Sequence, residues 1–214
     1  MSRSRSINPL WPARSFGVAL GLALTVLAIV GFGDDGIHGA LLATARLAFL
    51  LFWLAYAGGA LASLFGSTFE PLRQHAREFG LAFAAALAVH LGLVASLYVI
   101  GDPPPVRTLF VFGIAALCVY GLALGSIGRL RQALGARAWS FLRFAGMNYV
   151  AAAFILDFLR DPFEAGLLHA LMYWPFAALA LVGPALRVVA AFHALRESKI
   201  PPCKGVNATS SARP

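Results

Sequence analysis

Charged residues are scarce in this chain. Only 12% of its 214 residues are Asp, Glu, Lys or Arg, and 60% are hydrophobic. A soluble domain carries about a quarter charged residues, because its surface must face water. So little polar surface excludes an ordinary soluble domain and predicts a protein that lies in a lipid bilayer.

Cysteines and catalytic motifs are also scarce. The two cysteines, Cys118 in an apolar run and Cys203 in a polar tail, form no CxxC pair. This excludes a disulfide framework and metal sites built from thiolates. We find no glycine-rich phosphate loop, no Ser–His–Asp set and no carboxylate pair placed for hydrolysis, so the sequence predicts no catalytic residues. The net charge of +8 does not indicate nucleic acid, because the basic residues stand in short clusters between apolar runs.

Six apolar runs predict six transmembrane helices in an all-α bundle. They cover residues 15–32, 38–65, 79–100, 107–127, 139–159 and 167–195. Helices of this length can cross a hydrocarbon core of about 30 Å. The first run follows basic residues but ends in GDDG rather than a small-residue cleavage site. We therefore interpret it as a retained span and not a signal peptide.

The basic residues are distributed unevenly between the two sides of the predicted bundle. They precede span one, separate spans two and three and spans four and five, and follow span six, whereas the other loops carry most of the acidic residues. The excess of Lys and Arg on one side predicts that both termini are cytoplasmic in a bacterial-type inner (plasma) membrane. The predicted division is a basic N-terminus (1–14), a transmembrane domain (15–195) and a disordered tail (196–214).

Three ionisable residues fall at membrane depth: Arg46 in span two, His90 in span three and Asp157 in span five. Such residues are rare in spans and face the protein interior. Arg46 needs a partner there, which Asp157, a backbone carbonyl or an anionic cofactor group can supply.

Three stretches carry a resemblance to a known family: ATAR (43–46), REFGLAFAAALAVHL (77–91) and RTLFVFGIAALCVYGLALGSIGRLRQALGARAW (107–139). They resemble spans two to four, and the approach to span five, of the ferric-reductase-like transmembrane superfamily. Within it, they are most like the haem-binding membrane subunits of periplasmic methionine sulfoxide reductase systems (MsrQ/YedZ). The likeness covers roughly residues 40–190. It implies a six-helix bundle that holds b-type haem between spans three and five, with histidines as axial ligands.

The chain departs from this family in span five, where Arg143 and Leu156 stand in place of the two histidines. Arg77 stands 13 residues before His90, where the other ligand of span three is expected. A guanidinium group has no lone pair to give to iron. The resemblance therefore implies at most one haem b, near His90. Arg77 and Arg143 are expected to form a basic cytoplasmic face that can meet an anionic headgroup or a quinone.

For that haem the candidate metal ligand is His90, and Arg46 is a candidate partner for a haem propionate. His38 and His169 begin spans on the outer side and are the candidate substitutes for the missing second ligand. The expected partners are the lipid bilayer and an electron-donor or periplasmic protein, and no nucleic acid. The chain carries no nicotinamide- or flavin-binding domain, and involvement of a flavin or quinone stays open.

Three hypotheses compete for His90. In the first it ligates a single haem, and the chain is at most the membrane electron-transfer component of an oxidoreductase. In the second it is a neutral, hydrogen-bonded residue in a degenerate, haem-free scaffold or accessory subunit. In the third it binds a proton, a quinone or a metal together with Asp157. Bulky residues such as Phe154 and Leu156 packed against His90 favour the second hypothesis, and a flat cavity between spans three and five favours the first.

Overall fold

The chain folds into a bundle of long helices. A computed structural model describes residues 10–127, 130–160 and 166–198, and within these ranges it contains helices and no strands. The helices are α1 (Leu10–Val30), α2 (Asp34–Phe65), α3 (Glu70–Gln74), α4 (Ala76–Ile100), α5 (Val106–Ile127), α6 (Leu130–Phe158) and α7 (Gly166–Ser198), and a 3-10 turn (Gly66–Phe69) joins α2 to α3. All except α3 contain a stretch long and apolar enough to cross a membrane. The predicted all-α architecture with six membrane-length helices is confirmed, and the cytoplasmic position of the termini stays a prediction.

The outside of the bundle is strongly apolar. Ile29, Val99 and Leu117 are between 74% and 87% exposed, and many other large aliphatic and aromatic side chains also point outward. A soluble protein does not expose so much contiguous apolar surface. A bilayer accepts it, because each helix satisfies its backbone hydrogen bonds internally.

Glycines end two of the spans. Gly66 follows α2 with a φ of 77°, and its N–H donates to the carbonyl of Ala62. Gly101 follows α4 in the left-handed conformation, and its N–H donates to the carbonyl of Leu97. A residue without a Cβ adopts these positive φ angles without steric cost, so both helices stop at the ends of their apolar runs.

Two features differ from the expected segments. The polar connection 66–78 is not a simple loop, because it contains the short helix α3. Helix α6 begins before the predicted span and is interrupted at Gly135, where φ is 75°. The tail predicted to be disordered falls largely within 199–214 and, like residues 1–9, lies outside the described residues.

Five helices enclose a common interior. Helix α2 packs against α4 and α7, α4 against α5, α5 against α6, and α6 against α7, which closes a ring. Helix α1 lies outside this ring and packs on α2 and α4 through its small residues Ala19 and Ala23, both of which are buried. The interior between α2, α4, α5, α6 and α7 is therefore the place where a ligand or a core must be accommodated.

Candidate functional site

The two ends of the bundle differ in charge. One end, where α2 begins and α4 stops, carries Asp34, Asp35 and Asp102. The opposite end carries Arg73 and Arg77 in α3 and at the start of α4. We call the parts of the interior next to these ends the acidic half and the basic half.

In the acidic half, His90 contacts Thr44 of α2. The distance between Thr44 Oγ1 and His90 Nδ1 is 3.1 Å, and Thr44 is fully buried. The Thr44 hydroxyl donates its only proton to the Ala40 carbonyl at 2.8 Å. His90 Nδ1 can donate its hydrogen to Thr44, and His90 also bonds the backbone carbonyl of Leu41. The tautomer with the hydrogen on Nδ1 carries its lone pair on Nε2.

Phenylalanine rings fill part of the interior between α2, α4 and α6. Phe49, which is 1% exposed, packs edge-on against Phe154 and Phe158 of α6, with ring centroids 5.1 and 4.9 Å apart. Phe154 also contacts Phe52 of α2 at 5.4 Å and Phe83 of α4 at 6.2 Å. We call these five residues the phenylalanine cluster. They occupy the space between α2, α4 and α6.

The cluster lies directly along the helix face that carries His90. Phe83 precedes His90 by seven residues, so it is on the same face of α4, about 10 Å towards the basic half. Phe154 packs against the cluster and not against His90 itself, so the packing that the haem-free hypothesis predicts around His90 stays a prediction. Leu156 does not pack against His90, because it is 62% exposed and points out of the bundle.

The other predicted haem-site residues are not gathered around His90. His38 Nε2 lies 3.3 Å from Asp102 Oδ2, and its Nδ1 lies 2.8 Å from the Asp34 carbonyl oxygen, so both ring nitrogens are engaged at the acidic end. His169 belongs to the first turn of α7, and its side chain lies outside the described part of the chain. Among the described residues, no group of three or more His, Cys, Asp or Glu residues can hold a metal ion. The haem and metal roles of His90, His38 and His169 stay predictions.

Arg46 faces α7. Its guanidinium carbon lies 5.1 Å from the ring centroid of Phe176 and 5.7 Å from that of Tyr173. Among the ion pairs between described residues, none joins Arg46 to Asp157. The aromatic faces give the cation a partly compensating environment at membrane depth, and the predicted contact with a haem propionate stays a prediction.

The basic half contains a cavity of about 770 Å³. All five helices of the ring line it, and α3 contributes Arg73 at its mouth. Four arginines take part, namely Arg73, Arg77, Arg143 and Arg187, and its described lining contains no His, Cys, Asp or Glu. We call this space the basic cavity. The sequence correctly placed Arg77 and Arg143 on one basic face, and the structure adds Arg73 and Arg187 to it.

The arginines are held in different ways. Arg77 donates through Nε to the Ser126 hydroxyl at 2.9 Å and also bonds the Ser126 carbonyl. Arg187 lies over the Tyr56 ring at 4.3 Å, and the Tyr56 hydroxyl donates to Asn148 Oδ1 at 2.7 Å. Arg73 pairs with Glu70 at 2.8 Å. Between described residues, no carboxylate pairs with Arg77, Arg143 or Arg187.

Comparison of the chain with protein-family models, with curated proteins and with solved structures gives no match in any of the three. The resemblance to the ferric-reductase-like superfamily therefore stays a prediction.

Two residues of these two regions, Thr44 and Tyr56, were not singled out from the sequence. Thr44 lies within the ATAR stretch, and only the packing of α2 against α4 shows that it meets His90. Arg187 was noted as an arginine within a span whose side chain can reach the cytoplasmic interface. The structure places its guanidinium over the Tyr56 ring at the basic cavity, and nothing in the sequence positions of these two residues indicates that contact.

Proposed function

We propose that this chain is a haem-free integral membrane protein, a scaffold or accessory subunit that retains a ferric-reductase-like bundle without its electron-transfer cofactor. It lies in a bacterial-type inner membrane with both termini in the cytoplasm, as the distribution of basic residues indicates. In this function the bundle presents its surfaces and its basic cavity to other molecules and performs no redox chemistry.

The observation that supports this proposal is the packing of the phenylalanine cluster. A porphyrin between α4 and α6 needs a flat space between these helices, and Phe154 and Phe158 of α6 instead pack at ordinary ring distances against Phe49 of α2, with Phe154 also 6.2 Å from Phe83 of α4. The basic cavity is open, and the described residues that line it include no histidine. Its arginines cannot ligate iron, because a guanidinium group has no lone pair to donate.

One observation favours a second candidate function, b-type haem binding with electron transfer. If His90 Nδ1 donates to Thr44 at their 3.1 Å separation, the lone pair of the ring is on Nε2. Histidines that ligate metals commonly donate the opposite ring N–H in this way. In that function, His90 is the axial ligand, and electrons arrive from a partner protein or a quinol.

An absorption spectrum separates the two functions. The full chain is produced in haem-replete cells, purified in mild detergent and measured oxidised and after dithionite reduction, with His90→Ala as a matched variant. We expect no Soret band, a monodisperse elution profile and a fully helical circular dichroism spectrum. A Soret band that shifts on reduction and disappears in His90→Ala contradicts the haem-free proposal and establishes the second function.

A further inference from the structure

The basic cavity has the composition of a site for an anion. Four arginines face a space of about 770 Å³, which is within the range of small-molecule pockets, and one carboxylate, Glu70, lies beside them. Glu70 is already paired with Arg73, so the charges of Arg77, Arg143 and Arg187 are not neutralised by described carboxylates. Guanidinium groups bind phosphate through parallel N–H bonds, and arginine is the residue most suited to this geometry.

Two of the four arginines lie more than one turn inside the ends of their membrane-length helices. Arg143 belongs to the candidate span Ala133–Phe158, and Arg187 to Tyr173–Arg196. A cation in a span is costly unless it faces water, a counter-ion or a polar partner. Arg187 is held over Tyr56, and Tyr56 is itself fixed by Asn148. The chain therefore maintains a positioned cation inside the cavity, and a bound anion supplies the opposite charge.

The deeper wall of the same cavity is apolar. Phe52, Leu81, Phe83 and Val150 line it below the arginines. The lining residues of α4 extend from Ala76 to Phe83, about 10 Å along the helix. A free inorganic anion gains no contact energy from this apolar wall. A molecule with an anionic head and a hydrocarbon tail matches both the arginines and the apolar wall of the cavity.

We propose that the basic cavity binds an anionic membrane lipid, with its phosphate group among Arg77, Arg143 and Arg187 and part of an acyl chain against Phe52 and Phe83. The size, charge and polarity of the cavity support this assignment. It does not depend on whether His90 carries haem, because His90 does not line the cavity and lies beyond the phenylalanine cluster.

Trp139 provides a local reporter, because it lines the cavity. The full chain is reconstituted in bilayers that mix phosphatidylglycerol and phosphatidylcholine, with bromine on the acyl chains of one lipid at a time. The fluorescence difference between the unmodified chain and Trp139→Phe isolates this tryptophan from the other three. We expect Trp139 quenching to show about a tenfold preference for the anionic lipid, as charge-assisted hydrogen bonds provide.

Two kinds of variant test where the lipid binds. Arg143→Gln combined with Arg187→Gln removes two cations, and we expect the preference to fall to about one. Gly80→Leu keeps all the charges and fills the cavity instead, since a Cβ at Gly80 meets nothing within 4 Å, and it should abolish the preference as well. The matched controls are Arg107→Gln at the acidic end and Gly92→Leu on α4. Both should retain the full preference.

Equal quenching by the two lipids in the unmodified chain overturns the proposal, and this result needs no variant to fold. A preference that survives both the arginine and the Gly80 changes also overturns it. The last experiment repeats the quenching measurement with inorganic phosphate at millimolar concentration and constant ionic strength. We expect it to leave the preference unchanged, and displacement of the lipid by phosphate assigns the cavity to a soluble anion instead.

Discussion

The acidic and basic halves of the bundle are built from the same helices but filled differently. In the acidic half, aromatic rings from α2, α4 and α6 meet at the centre, and His90 and Thr44 satisfy one another. In the basic half, the same helices contribute glycine, alanine and arginine, and a cavity remains. The glycines and alanines leave space between the helices. The arginine side chains do not close this space, because their like charges repel one another. Interior composition alone thus converts one helix arrangement into a packed core at one end and a binding cavity at the other.

The largest effect is expected for Phe49→Ala, which breaks the packed half. Phe49 is nearly fully buried and contacts three other phenylalanines, so its loss leaves a cavity that neighbouring helices cannot collapse into. We expect the free energy of unfolding to fall by about 3–5 kcal/mol. Denaturant unfolding in mild detergent, followed by circular dichroism, measures it. Phe141→Ala, at a 72% exposed position, is the control and should change stability little, and equal effects at the two positions contradict a filled acidic half.

Thr44→Val tests the polar pair within the packed half. The valine keeps the shape of the side chain but removes the hydroxyl that His90 Nδ1 contacts, and the Leu41 carbonyl remains as a partner of His90. We expect a loss of about 0.5–1.5 kcal/mol in the same unfolding measurement, the net contribution of one hydrogen bond. The control is Thr25→Val on α1, where an exposed hydroxyl bonds its own helix at Gly21. A neutral Thr44→Val would show that His90 finds another partner.

Two adjacent glycines of α2 in the basic half have different surroundings, one packed and one open. A Cβ at Gly58 lies 3.0 Å from Leu72 Cβ and 3.2 Å from its carbonyl oxygen, whereas a Cβ at Gly59 meets nothing within 4 Å. We expect Gly58→Ala to cost about 1–3 kcal/mol by overpacking α2 against the segment that contains Leu72. Gly59→Ala should be neutral or stabilise by up to about 1 kcal/mol, because alanine is the better helix former. The reverse order of stabilities in thermal unfolding is incompatible with a cavity on the Gly59 side.

The smallest effect is expected for Arg143→Gln. Arg143 is exposed to the cavity, and no described carboxylate pairs with it. The free energy of unfolding in lipid-free detergent should change by less than about 0.5 kcal/mol. A substantially larger loss would mean that this arginine stabilises the bundle rather than a ligand. The control is Arg107→Gln, in the first turn of α5.

Much of the helical framework is predictable from the sequence, because each span is an apolar run bounded by residues that stop helices. The positions of α4 and α5, for example, follow from Gly101 and the three prolines after Asp102. Gly135, where α6 is interrupted, falls within the loop predicted before span five, but the helical stretch that begins at Leu130 was not predicted. Helix α3 was missed because a five-residue helix carries too little pattern.

The interior was harder to predict than the framework. The sequence shows that Arg46 needs a partner at membrane depth, but Asp157 and the rings of Tyr173 and Phe176 are all within reach of such a side chain, and only helix packing selects the rings. His90 was predicted to meet a serine, a tyrosine or a backbone carbonyl, and it meets the hydroxyl of Thr44 and the backbone carbonyl of Leu41. The presence of a polar partner followed from chemistry, but its identity depends on the register of α4 against α2.

The contact between α2 and α7 has a mechanical consequence. The Trp53 indole donates to the Leu179 carbonyl at 2.7 Å, and a Cβ at Gly183 would lie 3.2 Å from the same nitrogen. Arg187 follows one turn after Gly183, where it lies over the ring of Tyr56. A slide of α7 by one turn, about 5.4 Å, would break the indole bond and withdraw the cation from that ring at once. The indole bond therefore fixes the register of α7 against α2, and with it the depth of the Arg187 charge in the cavity.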